Sequence, residues 1–252
     1  MNNFPKIIHF IWVNFKNELD PKPIIPQKYL DNLENVKKIN SDYEIKIWNG
    51  YDCDQFIRKY FPNKVDIYWK LPYPIQRCDY IRFFILYIYG GIYSDMDRFS
   101  VKSYNIILDE YNNYDIILAK LPSLNLINND IIIAKPSNKF ILKCINHITI
   151  YNFYNDFINV CATTGPIYLI KMYYKYNTFS KIKLLSCELN PCNWCGCDVN
   201  NMDKIVSYTS LDNSWIEKNA GTHIISYIFC NFYNIFLIII IFLLLYKLYK
   251  NN

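Results

Sequence analysis

Histidine is scarce in this chain: there are three in 252 residues, at positions 9, 147 and 223. His9 falls on a strand-like run, His147 on a helix-like run, and His223 beside a long uncharged stretch. A histidine-based metal or nucleophile centre needs such side chains to converge, so that chemistry is set aside and all three are read as structural. The chain also lacks a compact block of lysine and arginine. Its formal net charge of +5 is spread along the sequence, which argues against nucleic-acid binding. No internal repeat is present. The N-terminal apolar run Ile7–Val13 is short, contains His9 and has no small-residue cleavage site, so it reads as a first β-strand and not a secretory signal.

Apolar residues are plentiful. At 52% hydrophobic the chain has enough surface to build a core, and its length suits one substantial α/β domain, or one domain plus a short appendage. Tyrosine, isoleucine, asparagine and lysine are all abundant; AT-rich codons account for this and say nothing about mechanism. Six of the nine cysteines (Cys53, Cys78, Cys144, Cys161, Cys187, Cys230) are scattered through apolar or helix-like stretches, as buried free thiols would be. Cys192, Cys195 and Cys197 form a C-x-x-C-x-C run. No second C-x-x-C pair supplies a fourth zinc ligand, so free or locally paired thiols fit it better than structural zinc.

The C-terminus differs in kind. Ile224 to Tyr246 is 23 residues without a charge, flanked by Tyr227, Tyr233, Tyr246 and Tyr249 and followed by Lys247 and Lys250. A spanning helix needs roughly 20 apolar residues, and interfacial aromatics and lysines are its usual anchors. The blander alternative is a buried core helix, and Asn231 and Asn234 favour it. The expectation is a single-pass membrane helix over 223–247 with a polar tail at 248–252, the side of the membrane left open.

Between the ends, strand and helix signals alternate. Strands are expected at Ile7–Val13, Glu44–Trp48, Gly91–Asp95, Asp115–Ala119, Asp130–Ala134 and Lys181–Leu185. Helices are expected at Asp52–Tyr60, Ile75–Tyr89, Ser137–Ile150 and Gly165–Tyr176. Such alternation implies a mainly parallel sheet covered on both faces.

The chemistry concentrates between Pro74 and Asp97. Gln76, Asp79 and Arg82 are spaced to share one helix face, while Ile81, Phe84, Ile85 and Ile88 supply an apolar face for the sheet. Charges on a buried helix are costly unless paired or engaged with a ligand. Gly90-Gly91 ends the helix and starts a strand leading to Asp95-Met96-Asp97. On extended backbone those two carboxylates would project to one side and could share a divalent ion and the phosphates it carries.

At this point the chain resembles glycosyltransferase family 32, the DXD-containing sugar transferases that include yeast α-mannosyltransferases and inositol phosphoceramide mannosyltransferases. It is more distantly similar to the clostridial glucosylating toxins. The resemblance rests on Pro5-Lys6-Ile7-Ile8-His9-Phe10-Ile11-Trp12, on Gln76-Arg77-x-Asp79-x-x-Arg82, and on Gly90-Gly91-Ile92-Tyr93-x-Asp95-x-Asp97. Weaker matches continue at Asn129–Pro136, Thr164-Gly165-Pro166 and Ser214-Trp215.

The resemblance implies a GT-A fold over residues 1–222 and a retaining transfer. It implies a nucleotide-sugar donor (GDP-mannose or a UDP-hexose), Mn2+ or Mg2+, and a glycan, glycolipid or glycoprotein acceptor. It places Trp12 beside the base and Asp79 and Arg82 on the donor sugar, with Arg82 also helping to balance phosphate charge. Asp95 would contact ribose and sugar, and Asp97 would ligate the metal. Asp212-Asn213-Ser214-Trp215 falls where relatives place a metal ligand and a leaving-group donor, Asp212 and Trp215 taking those positions. Many relatives carry histidine just before Ser-Trp, whereas this chain has Leu211-Asp212. Oxocarbenium character in the transition state favours a nearby carboxylate, for which Asp79, Asp95 and Asp130 are candidates. Two other readings stay open: a membrane-attached binding module whose catalytic site has degraded, and a toxin-like transferase acting on protein.

Overall fold

The computed structural model describes residues 3–120, 127–153, 155–186, 188–189 and 203–209. In chain order its first half holds β1 (Ile7–Ile11), α1 (Gln27–Ile39), β2 (Glu44–Trp48), α2 (Gly50–Tyr60), α3 (Val65–Lys70), α4 (Pro74–Tyr89), β3 (Gly91–Ser94) and β4 (Arg98–Ser100). The second half holds α5 (Asn105–Glu110), β5 (Ile116–Lys120), β6 (Ile127–Ala134), α6 (Lys139–Asn146), α7 (Asp156–Thr163), α8 (Pro166–Tyr176), β7 (Ile182–Leu185) and β8 (Ser207–Thr209).

Six strands form one sheet in the order β2-β1-β3-β6-β5-β7, and β4 pairs with β8 in a separate ribbon. β1 runs parallel to β2 and β3, β5 runs parallel to β7, and β6 is antiparallel to both of its neighbours. The mainly parallel sheet read from the sequence is therefore present, with one reversed strand. The reversal has a simple cause. Only residues 121–126 separate β5 from β6, far fewer than the dozen or so a parallel crossover requires.

Period-two side-chain alternation divides the core into two layers. Ile8, Phe10, Ile92, Ile117, Ile131 and Ile133 face Tyr29, Leu33 and Val36 of α1 and Ile107 and Leu108 of α5. Ile11, Tyr93, Ile116, Leu118 and Ile132 face α2, α3, α4, α6 and α8 on the other side.

Helix α4 is buried continuously from Gln76 to Leu86, so it has no solvated face. Its polar residues must therefore find protein partners. The helix ends because Gly90 and Gly91 take φ of 63° and 88°. A Cβ on Gly91 would sit 2.5 Å from the Ile7 carbonyl oxygen, and one on Gly90 would sit 2.6 Å from Pro136 Cδ. Only glycine supplies both that conformation and that clearance, which lets β3 enter the sheet directly beside β1.

The structure differs from the sequence reading in several places. Helices α1, α3, α5 and α7 and the β4–β8 ribbon were not foreseen, and β1 stops at Ile11, two residues short of Val13. Cys53, Cys78, Cys144 and Cys161 are buried free thiols, as the scattered pattern suggested. Among the described residues no helix is long and apolar enough to cross a membrane. The run 224–246, His223, Asp212, Trp215 and Cys192, Cys195 and Cys197 lie outside the described residues.

Candidate active site

Asp79 and Arg82 lie one turn apart on α4, 5% and 2% exposed, with Arg82 Nη2 donating to Asp79 Oδ1 at 2.5 Å. Two further donors complete the carboxylate. Asn129 Nδ2, on β6, reaches Oδ1 at 3.2 Å, and Thr164 Oγ1, at the α7–α8 junction, reaches Oδ2 at 3.2 Å. Burial pushes the Asp79 carboxyl up, and Arg82, Thr164 and Asn129 oppose it by favouring the ion. Arg82 also donates to the Asn129 backbone carbonyl, and its guanidinium lies 4.3 Å from the centre of the Tyr93 ring. Burial disfavours its charge, but Tyr93, Asp79 and Asp95 around it outweigh that and hold it protonated.

The same cluster reaches the acid turn. Asp95 Oδ1 lies 3.7 Å from Arg82 Nη1 and accepts the Tyr93 hydroxyl at 2.6 Å. Unlike Asp79, the Asp95 side chain keeps 34% of its surface exposed. Its carboxyl is raised to about 7, first by burial of the surrounding site, with Arg82 opposing and the charges of Asp97 and Asp130 adding. The charges of Asp97 and Asp130 thus act on Asp95, and such repulsion is the kind that a hard divalent cation relieves.

The local backbone corrects one expectation. β3 ends at Ser94, and Asp95–Asp97 form a turn closed by Arg98 N–H donating to the Asp95 carbonyl at 3.2 Å. The two acids are therefore not alternate residues of an extended strand. The turn arises because Asp95 N–H is the last group of the segment to bond β6, at the Asp130 carbonyl (2.8 Å), after which Met96 dives into the core. Asp97 is half-buried on this turn.

Asp130 is half engaged: its Oδ1 is buried without a hydrogen-bond partner among the described residues. Its Oδ2 accepts from Arg98 Nη2 at 2.6 Å, and Arg98 is fully buried, bonding Ser207 Oγ at 2.9 Å and the Leu189 carbonyl. Trp12 follows β1 on the side of the α1 layer. Its indole N–H donates to the Ile24 carbonyl at 3.0 Å, and its ring tilts against Tyr29 at 5.0 Å. Among the described residues no three histidine, cysteine, aspartate or glutamate side chains form a ready metal cluster.

Several contributors had no assigned role in the sequence. Asn129 and Thr164 sit inside segments that carried the weaker resemblance, and their bonds to Asp79 explain why those distant segments belong together. Gln76 is a tie and not a ligand: its Oε1 accepts Tyr73 N–H at 3.4 Å and its Nε2 donates to the Asn159 carbonyl at 3.1 Å. Arg77 forms a two-pronged pair with Glu18, anchoring the proline-rich loop to α4.

A concavity of about 410 Å³ between β2 and α2 contains none of these residues. Its polar rim is committed elsewhere. The Asp52 carboxylate accepts the Asn49 N–H in the capping box of α2, Gln55 bonds Asp54, and Lys46 pairs with Glu44 and covers the Tyr89 ring.

The acids lie beyond the carboxyl end of a parallel strand, the place where open α/β sheets bind their ligands. The fold is shared with a solved glycosyltransferase. The structure superposes on the PaToxG glycosyltransferase with a TM-score of 0.50 and 20% identity, covering 68% of this chain and 69% of that one. The sequence adds a family match. Residues 26–114 match the family described as the glycosyltransferase sugar-binding region containing a DXD motif, in line with the resemblance drawn from the residues.

An inositol phosphoceramide mannosyltransferase of Schizosaccharomyces pombe is 31% identical over 167 residues, which cover 66% of this chain and 43% of that protein. A mannosyl phosphorylinositol ceramide synthase of Saccharomyces cerevisiae is 29% identical, covering 70% of this chain and 44% of its own length. A glycosyltransferase of Acanthamoeba polyphaga mimivirus is 28% identical and covers 84% of this chain and 83% of its own length. The chain thus spans less than half of the two yeast proteins it matches.

Proposed function

We propose that the chain is a metal-dependent, retaining glycosyltransferase that moves a hexose from a nucleotide-sugar donor to a glycan, glycolipid or glycoprotein. Mannose is the preferred sugar, since the yeast relatives are named for mannosyl transfer, and their lipid acceptors make a glycolipid the first acceptor to try. The observation that carries the reading is the shared Asp79–Arg82–Asp95 network, which turns a buried helix and the end of a central strand into one anionic site with a fixed cation behind it.

Each residue's part follows from its exposure. Asp95, a third exposed, faces the donor, while Asp79 and Arg82 form the floor beneath it and set its position and charge. Asp97 and the oxygen-rich chemistry around it fit Mn2+ or Mg2+, with Asp212 as a further oxygen ligand. Such a cation would supply neutralisation of the leaving diphosphate. Arg82 adds fixed positive charge to the same side of the site, where negative charge develops on the leaving group. Asp95 and Asp79 supply negative potential for the oxocarbenium-like sugar. Trp12 borders the base and Trp215 the leaving group. Membrane attachment through residues 224–246 belongs to the same reading and is supported by the length of that run and its lack of charge.

The test is incubation of the full chain with GDP-mannose, UDP-glucose and related donors in Mn2+, following hydrolysis and transfer. Metal-dependent product is expected, and Asp97→Asn should abolish it. A folded protein that turns over none of these donors would count against the assignment. Full activity in Asp97→Asn would show the metal ligand to be misplaced.

A further inference from the structure

The acid turn is gripped from outside the helix–strand motif that carries it. Asn32, on α1 and 2% exposed, sends both amide hydrogens to the turn: Nδ2 donates to the Met96 carbonyl at 3.0 Å and to the Arg98 carbonyl at 2.8 Å. These are the carbonyls of the residues immediately before and after Asp97. Both partners are acceptors, so only the nitrogen end of the amide can satisfy them, which settles its orientation. The oxygen end, Oδ1, is buried without a partner among the described residues.

That asymmetry is informative. A buried polar atom without a bond is costly, and α1 already docks through Tyr29, Leu33 and Val36, so packing alone gives no reason for an amide at this position. The donors and not the whole side chain are what the site needs. Asn35, one turn further along, makes the comparable bond to the Ser100 carbonyl at 3.0 Å, beyond the acids.

We infer that Asn32 is a positioning residue for the Asp95-Met96-Asp97 turn, holding Asp97 in the orientation that ligates the metal. Together with Asp95 N–H on β6 and the Arg98–Asp130 pair, it fixes the turn from three sides. The inference rests on the metal-dependent transferase reading, but the grip on the turn is a separate, measurable property. Asn32→Asp keeps the shape and removes the donors, Asn32→Ala removes both, and Asn35→Ala serves as a control for lost helix–ribbon bonding.

Two readouts are taken on the full chain: amide hydrogen exchange over residues 91–100, and Mn2+ affinity from the free-ion paramagnetic resonance signal. Both Asn32 variants should speed exchange at the turn selectively and weaken Mn2+ binding about ten- to a hundred-fold, the usual cost of losing a group that orients a metal ligand. Asn35→Ala should leave Mn2+ affinity unchanged. The inference is overturned if Asn32→Ala matches Asn35→Ala in both measurements, or if exchange quickens evenly throughout the domain. Should the wild-type protein bind no Mn2+, the transferase reading loses its metal, and the exchange data alone decide whether Asn32 holds the turn.

Discussion

Acidification should expose His9. The ring lies at the centre of β1, fully buried, between β2 and β3. Its Nδ1 accepts the Trp48 indole N–H at 3.2 Å, which makes the Nε2-protonated tautomer the one that can donate to the Gly90 carbonyl at 3.0 Å. A second proton would have to enter at Nδ1, directly against that indole N–H. Burial, with Gly90 opposing and Lys46 adding, lowers the imidazole from 6.5 to about 4. Because the native state refuses a proton that the unfolded chain accepts below pH 6.5, stability is complete above that pH. It is lost progressively as pH falls toward 4 and levels off below.

At about 1.4 kcal/mol per pH unit, that interval amounts to about 3 kcal/mol. Urea unfolding between pH 4 and 8 measures it as the difference between wild type and His9→Gln, in which the carboxylate contributions common to both cancel. Nitrogen-resolved NMR of the imidazoles gives an independent check that needs no variant. A His9 resonance titrating near 6.5, or starting from the Nδ1-protonated form, would refute the reasoning.

Three other perturbations follow from the same geometry. Gly91→Ala forces a side chain into φ 88° and onto the Ile7 carbonyl, and should destabilise the fold by more than about 2 kcal/mol in chemical denaturation. Asp79→Asn leaves Arg82 charged, buried and short of its counter-ion. A loss of about 3–5 kcal/mol is expected in urea unfolding, with much of it recovered when Arg82→Leu is added. Tyr93→Phe removes the hydroxyl that donates to Asp95, a bond to a charged acceptor contributing about 1.5–3 kcal/mol, so kcat/KM should fall about tenfold or more.

The parts of the fold written in local pattern were legible in the sequence. Continuous apolar runs announced β5 and β6, and prolines before and glycines after bracketed α4 to within a residue. Helix α1 was missed although Tyr29, Leu33 and Val36 carry helical spacing. The sequence identified Asp79, Arg82 and Asp95 as one neighbourhood because short spacings on one helix and one strand bring them together. It did not identify Asn129 and Thr164 as partners of Asp79, or Asn32 as the partner of the Met96 and Arg98 carbonyls. Those bonds span 50 residues or more in the chain, and no local periodicity encodes them. The extended Asp-x-Asp failed for a related reason. The strand ends where its last hydrogen bond to β6 is made, and that limit is set by the neighbouring strand.

The distribution of charge explains why the turn, and not the helix, is the reactive end of this network. Of the acids Asp79, Asp95, Asp97 and Asp130, two are matched by buried arginines: Asp79 by Arg82 at 2.5 Å and Asp130 by Arg98 at 2.6 Å. Both pairs are almost wholly removed from water, at a desolvation cost that a purely apolar packing would avoid, and the second leaves Asp130 Oδ1 and Arg98 Nε without hydrogen-bond partners among the described residues. Asp95 shares Arg82 only at the longer distance of 3.7 Å and keeps contact with solvent. Repulsion from Asp97 and Asp130 therefore falls on a carboxylate that is free to bind something. The buried pairs hold the acids close, and the residual repulsion makes an arriving cation stabilising. An isosteric neutralisation at Asp130 should leave the fully buried Arg98 without its counter-ion, as the same change at Asp79 does for Arg82, so both should weaken the support beneath the turn.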